Sequence, residues 1–343
     1  MPTYYTTAQV VAAAEALDRF NPWIRDTFFG KTLVFEDEEI LFDQVDRRRK
    51  IAPFVSPNVP GKERKQRSRS VRAYKPPYLK PKDSLNPSNA RARRAGEAYG
   101  GADTMLSRYD QMVLQTLADH ENEIAGREEL MCVQALTAGQ VVAVGDGIND
   151  TISYGRDGDL SVALTAAARW GESGVKPLAS IREWGRTIAA KSGGVARKVV
   201  LGYGAAEVFT ADADVRDILD NRRAGEANIM ALAGSASGGE GDVVRYIGQI
   251  DGIEYWEYLQ TYETDAGTTT HYWPQYGVGL VAPGTMMGHM TYGAILDVKA
   301  LRAEQRFAKQ YEEDDPSREV ILTQSAPLPV PAEPNAALFA TVR

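Results

Sequence analysis

A chain of 343 residues with 43% hydrophobic and 25% charged side chains has the make-up of a folded globular protein, long enough for two compact units. No apolar run reaches the roughly 18–20 residues of a membrane span, and the start, MPTYYTTAQVVAAAEALDRF, lacks the basic and apolar blocks of a secretory signal. Net charge is −7, yet from Arg47 to Arg94 there are 16 Lys/Arg against two acids, Glu63 and Asp83, so this tract carries +14 and the remainder −21. That asymmetry predicts that the tract seeks an acidic surface. The surface is either a phosphate backbone or another copy of the chain, where EDEE at 36–39 and YEEDD at 311–315 are available. Cys132 is the sole cysteine, which excludes an internal disulfide and fits synthesis in a reducing cytoplasm.

In chain order, an alanine-rich helical pattern over 7–18 and a strand-like KTLVFED make an amphipathic arm of residues 1–45. Residues 46–100 hold seven of the 17 prolines. Proline lacks the backbone N–H and fixes φ, so this is extended chain that must lean on something else for order. From 103 to 138, Met105, Tyr109, Met112, Leu117, Ile124, Met131 and Ala135 recur at helical spacing. Asp103 is the expected N-cap, Gly139 the expected stop, and Gly126 a candidate break or bend. Such a helix would be about 50 Å long, a strut and not an ordinary globular helix.

QVVAVGDGINDTISYG reads as two strands about a Gly/Asn/Asp turn. Leu178, Ile181, Trp184 and Ile188 mark one helix face ended by Gly193-Gly194, RKVVLGY at 197–203 reads as a buried strand, and 211–223 as another helix. Asp251-Gly252 between alternating apolar residues is the clearest hairpin signal. SREVILTQS and ALFATVR read as strands joined by a proline-rich link, APLPVPAEPN. The fold class is α+β, with strands from distant parts of the chain sharing a sheet.

The search for chemistry returns little. VGDGIND at 144–150 is similar to the GDGxND turn of P-type pumps and related phosphatases, but the upstream DxxxT nucleophile setting is missing and a hairpin turn accounts for it. GSASGGEGD at 234–242 lacks the Lys-Ser/Thr of a phosphate loop and reads as a mobile loop. His120, His271 and His289 have no metal-ligand spacing, and His120 reads as a partly exposed helix residue. Cys132 on the long helix reads as an inert buried thiol. The expectation is a non-enzyme without metal or cofactor.

The basic tract supports two readings. It could track nucleic acid, with Tyr74 and Tyr78 stacking on bases, as a sequence-tolerant binder using 47–94. Alternatively it is a protruding loop that docks on an acidic neighbour. No nucleic-acid module surrounds it, and the −21 of the remainder opposes approach to a polyanion, which favours the docking loop. The candidate docking residues are Lys62, Arg64, Lys65, Arg67, Arg69, Arg72, Tyr74, Lys75, Tyr78, Leu79, Lys80 and Lys82.

Several stretches then resemble, in order, the lambda-type major capsid proteins of tailed bacteriophages: YTTAQ at 5–9, FVSP at 54–57, PPYLKPK at 76–82 with Asn86-Pro87 beyond, LDNRR at 219–223, DPSRE at 315–319 and QSAPL at 324–328. The resemblance implies the Hong Kong 97-type capsid fold. Residues 1–45 would be the N-terminal arm and 46–100 an extended β-ribbon loop. Residues 101–164 and 301–343 would form a peripheral domain with the 103–138 spine helix, its sheet combining 140–155 with the two C-terminal strands. Residues 165–300 would form the axial domain. It further implies self-assembly into hexamers and pentamers of an icosahedral shell around double-stranded DNA, without sequence-specific DNA binding or a membrane. Scaffolding, portal and decoration proteins would be partners, and the virion would be assembled in a bacterial cytoplasm. No lysine is marked for covalent cross-linking.

Overall fold

A computed structural model of the chain describes residues 20–45, 51–52, 54–58, 60, 69–86, 105–145, 147–218, 244–264, 267–300, 303–315 and 317–343. The expected 7–18 helix, the Asp103 cap and the 234–242 loop lie outside them. The chain opens with a short helix α1 (Trp23–Phe28), strand β1 (Lys31–Val34) and strand β2 (Ile40–Val45); β3 (Arg69–Tyr74) and β4 (Lys82–Leu85) precede a 33-residue spine helix, α2 (Met105–Thr137). At 1.5 Å per residue α2 is about 50 Å long. Gly126 neither breaks nor ends it. A Cβ there would stand 2.9 Å from the Tyr272 hydroxyl, so the glycine lets that ring approach the helix. Gly139 closes the helix with φ +66, and the Arg156 guanidinium donates to the last carbonyls, Leu136 O and Thr137 O, both at 2.5 Å.

Hairpin β5 (Gln140–Gly145)–β6 (Ile148–Ser153) follows, with Gly145 opposite Ile148 and Gly147 at φ +77. Val144 and Gly145, and Ile148 to Asp150, of VGDGIND thus lie on the two paired strands of a hairpin. Beyond β7 (Ser161–Ala163) come α3 (Pro177–Ser192), β8 (Lys198–Gly202), α4 (Tyr203–Ala211), β9 (Val244–Ile250), β10 (Ile253–Tyr258), β11 (Thr261–Glu263), β12 (Thr269–His271) and β13 (Gly277–Val281). The chain finishes with α5 (Pro283–Met286), β14 (Gly288–Tyr292), β15 (Phe307–Asp314), β16 (Ser317–Gln324), β17 (Pro327–Pro331) and β18 (Ala337–Thr341).

Six strands form the main sheet in the order β7-β18-β13-β8-β10-β9. Asp251 and Gly252 both have positive φ (53° and 76°), the type I′ turn that matches strand twist, and they join β9 to β10 as the sequence predicts. Helix α3 lays Leu178, Ile181, Trp184 and Ile188 into the core. Burying each such side chain contributes roughly 1.5–3 kcal/mol, which outweighs the ~1 kcal/mol that Gly185 costs inside the helix. Trp184 stacks on Trp170 at 5.9 Å, and Phe209 on Tyr255 at 4.8 Å, filling the space between helices and sheet. Residues 203–211 form a helix that the sequence reading did not assign; of the expected 211–223 helix, 213–218 are helical after a break at Asp212, and 219–223 lie outside the described residues.

The expected peripheral sheet is corrected. Among the described residues β5–β6 pairs only with itself, whereas the two C-terminal strands part company: β16 lies between β15 and β4, and β18 joins the six-stranded sheet. β18 is an apolar strand, with Ala337, Leu338 and Ala340 buried, and such a strand belongs inside a covered sheet. Together with β7 it also places a piece of each expected peripheral segment in a sheet otherwise built from 165–300. The proline-rich link is itself a strand. Pro327, Pro329 and Pro331 alternate along β17 at the edge of the β1-β14-β17 sheet. The Pro329 carbonyl turns to the Tyr154 hydroxyl, so the missing proline donors face away from β14.

The spine helix carries buried charge. Glu121, Glu128 and Glu129 are at most 4% exposed. Glu128 accepts from Arg25 Nη1 at 2.7 Å, Arg306 Nη2 at 3.2 Å and the Tyr292 hydroxyl at 3.0 Å, while Glu121 pairs with Arg306. Glu129 caps α1 from 104 residues away, accepting the Ile24 and Arg25 amides at 2.8 and 2.9 Å. The Tyr258 hydroxyl lies 2.6 Å from both Glu129 Oε1 and Gln260 Oε1, an arrangement in which a protonated Glu129 supplies the second proton. Burial, against the Tyr258 hydrogen bond, pushes the Glu129 carboxyl up from 4.5 to about 7; burial also raises Glu128, against the pull of Arg25.

Between pH 4.5 and about 7 the folded chain holds a proton on Glu129 that the unfolded chain has lost. This contribution therefore favours folding at low pH and fades as pH rises across the window. Melts of the unassembled subunit should show a falling slope there of at most about 1.4 kcal/mol per pH unit from this group. Glu129→Gln should flatten it to what Glu128 contributes, and an unchanged slope in the variant refutes the assignment. Separately, Gly126→Ala should destabilise the parent through the Tyr272 clash but stabilise a Tyr272→Phe background by up to ~1 kcal/mol, the helix preference of alanine. Equal effects in the two backgrounds, measured by urea unfolding, would rule out the close-approach explanation.

Candidate assembly interface

Strands β2 and β3 form a ribbon of six residue pairs, from Ile40↔Tyr74 at its root to Val45↔Arg69, and among the described residues no third strand joins it. An isolated two-stranded ribbon is marginal in water, so its root has to be held by the body. Ile40 is fully buried, Phe42 stacks on His289 at 6.1 Å, and Tyr74 packs edge-on against Tyr154 at 5.6 Å. Arg72 reaches the Ser153 carbonyl at 3.4 Å.

The PPYLKPK stretch continues this anchorage and leaves the ribbon. Leu79 and Ser325 exchange backbone hydrogen bonds at 2.8 and 3.1 Å, and β4 pairs with β16. The Tyr78 hydroxyl donates to Gln324 Oε1 at 2.7 Å and accepts the Leu296 amide at 3.2 Å. Gln324 Nε2 in turn donates to Asp297 Oδ2 at 2.8 Å, and Asp297 is paired with Lys309. Burial alone would raise the Asp297 carboxyl, but the Lys309 ammonium, with the Lys299 amide and Gln324, holds it down to about 2. This lock thus stays charged well below neutral pH. His120, expected at the surface, is instead buried, with Nδ1 3.0 Å from Thr323 Oγ1 and Nε2 3.2 Å from Asp83 Oδ2, tying α2 to β16 and β4.

The predicted docking residues therefore divide. Lys62, Arg64, Lys65 and Arg67 lie outside the described residues, and Arg69 stands on β3 opposite Val45 at the far end of the ribbon. Tyr74, Tyr78 and Leu79 contact their own chain, so their apolar anchoring holds the ribbon root. Lys75 lies 3.7 Å from Glu38, Lys80 sits over the Tyr78 ring at 5.5 Å, and Lys82 is 3.6 Å from Glu313 and over the Tyr311 ring. Sequence reasoning missed Gln324 and Asp297, whose roles depend on partners up to 246 residues away and leave no local pattern. Among the described residues no cluster of His, Cys, Asp and Glu could hold a metal ion, and no helix is long and apolar enough to cross a membrane.

The model of the family described as phage major capsid protein E matches residues 6–342. The chain belongs to the phage major capsid protein E family. It is 29% identical to the major capsid protein of Escherichia phage N15 and 27% identical to that of Escherichia phage lambda, each match covering 96% of this chain and 97% of the relative. A crystallised prophage protein of E. coli CFT073, described as a capsid protein, superposes with a TM-score of 0.72 at 22% identity over 99% of both chains. The mature capsid of bacteriophage PhiM1 gives 0.52 at 10% identity, over 95% of this chain and 88% of that one. The fold is the Hong Kong 97-type capsid fold, and the chain is a structural subunit of a tailed-phage capsid.

Tyr78→Phe and Gln324→Leu should each loosen the ribbon root by about 1 kcal/mol, the net worth of such a hydrogen bond. The readout is faster amide hydrogen exchange at Tyr78, Leu79, Lys80 and Lys82, the residues of 76–82 that carry an amide hydrogen, with that at 178–188 unchanged; unchanged exchange at these four would dismiss the lock.

Proposed function

We propose that the chain builds hexamers and pentamers of an icosahedral head around double-stranded DNA, as a non-enzymatic, self-associating subunit. The carrying observation is the β2–β3 ribbon, which is rooted in the body and pairs along neither outer edge with another described strand. Its outer part, with Lys62, Arg64, Lys65, Arg67 and Arg69, docks on acidic surface of an adjacent copy, while Arg72, Tyr74, Lys75, Tyr78, Leu79, Lys80 and Lys82 set the angle at which it leaves. Exposed ion pairs contribute only about 0–1 kcal/mol each, so closure of the shell depends on many repeated contacts. The N-terminal arm, the axial domain around 165–300 and the peripheral domain on the spine helix take the places that the family resemblance implies, with β7 and β18 shared with the axial sheet. Separate scaffolding, portal and decoration proteins act with it, and assembly takes place in the bacterial cytoplasm. DNA contact is independent of sequence; no observation favours the reading of the basic tract as a nucleic-acid binder. Deleting residues 62–67 should leave a folded subunit that forms at least tenfold fewer closed shells by electron microscopy. Normal shells from that deletion overturn the docking role.

A further inference from the structure

Hairpin β11–β12 is a surface element with no core of its own. Of its paired residues, Thr261, Glu263, Thr269, Thr270 and His271 are exposed, and among the described residues no third strand joins it. A two-stranded hairpin of this kind is marginal in water, so its root has to hold it. At that root Tyr272 donates its amide to the Gln260 carbonyl at 3.1 Å, and the Tyr262 and Tyr272 rings meet at 4.7 Å. The His271 ring lies 4.9 Å from that of Tyr203, with Nδ1 3.3 Å from the Leu259 carbonyl.

Gln260 is the inward end of the root. It is 8% exposed, and its Oε1 stands 2.6 Å from the Tyr258 hydroxyl, which stands equally close to Glu129 Oε1. Both are hydrogen-bond distances, yet a phenol has one proton to donate and an amide oxygen has none. The three groups are joined when Glu129 is protonated: Glu129 donates to Tyr258, and Tyr258 donates to Gln260. Without that proton Tyr258 turns to the carboxylate, the stronger acceptor. The Gln260 oxygen is then a buried acceptor without its donor, which destabilises the seated root. Glu129 cannot shift to compensate, because its two oxygens also accept the Ile24 and Arg25 amides.

We propose that Glu129, Tyr258 and Gln260 form a proton relay from the spine helix to hairpin β11–β12, which seats the hairpin while Glu129 is protonated and loosens it when the proton leaves to water. Of the groups around Glu129, Arg25 on α1 is paired with Asp26 and Glu128. The oxygens of Glu128 go to Arg25, Arg306 and Tyr292 and not to the relay. Burial raises the Cys132 thiol and the Tyr258 and Tyr272 hydroxyls, so these stay neutral. The seated form keeps the Glu129 proton up to about pH 7, whereas a loosened root lets water reach the carboxyl and lowers its value towards 4.5. Seating is therefore favoured at low pH, is lost as pH rises across that interval, and changes no further above it.

Hydrogen exchange of the full chain tests this at the Tyr272 amide and at Tyr262 and Thr270, the next hydrogen-bonded pair of the ladder. Their protection factors, which discount the pH dependence of exchange itself, should fall about tenfold between pH 5 and pH 7.5. They should also be lower throughout than those of β8, so that the hairpin opens without the fold. Glu129→Gln, which cannot ionise, and Gln260→Leu, which needs no donor, should each remove the fall. The second variant leaves Glu129 and the α1 cap in place, so the test stands even if the first does not fold. His271 and Glu263, the hairpin's own titratable groups, are present in both variants, so any response of theirs persists there. Equal protection of the parent at the two pH values, the result if Gln260 merely reverses its amide, overturns the proposal. So does the full fall retained in either folded variant, or hairpin protection equal to that of β8.

Discussion

The fold turns on the carboxylates buried along the spine helix. Glu128 alone receives Arg25, which lies on the first helix, Arg306, from the crossing before β15, and Tyr292, at the end of β14. Its neighbour Glu129 caps α1 and meets Tyr258 at the end of β10. Buried charges of this kind cost about as much in lost hydration as their attraction returns, whereas losing one partner costs several kcal/mol. Their value here is geometric. Guanidinium and carboxylate groups meet in few arrangements, so four remote segments are held in one register on a helix whose apolar residues could slide.

That register places the ribbon. β2 follows the segment clamped by Arg25 and Glu129, and β3 runs into the stretch bound by Gln324 and Ser325. The two ribbon strands are thus rooted in different sheets. A ribbon rooted in the body, with no third described strand beside it, suits a subunit of the phage major capsid protein E family.

The longest local patterns were legible in the sequence. The spine helix, the α3 face, the Asp251-Gly252 hairpin and the buried strand at 198–202 follow from periodicity and turn chemistry, which depend on neighbours only. Within 46–100, the described stretch 69–86 is strand and extended chain resting on β2 and β16, as proline and the shortage of apolar residues suggested. The structure departs from the sequence where pairing is long-range. Nothing local directs β18 to the main sheet or β4 to β16, and a proline-rich stretch does not announce an edge strand. His120 looked like a surface residue because its partners, Asp83 and Thr323, come from elsewhere in the chain.

Of the site, the basic tract and its tyrosines were visible from charge and composition, but not which way they face. Charge gives a side chain a preferred kind of partner without saying whether the partner lies in the same copy. Tyr78 and Leu79 took theirs from their own chain through Gln324 and Ser325, which stand close only after β16 has folded against β4. The sequence by itself determined an extended basic arm on an acidic body, because proline and net charge act without tertiary context. Only the tertiary structure decided where the arm is rooted and which of its residues bind their own chain, because hydrogen-bond partners are chosen by distance in space.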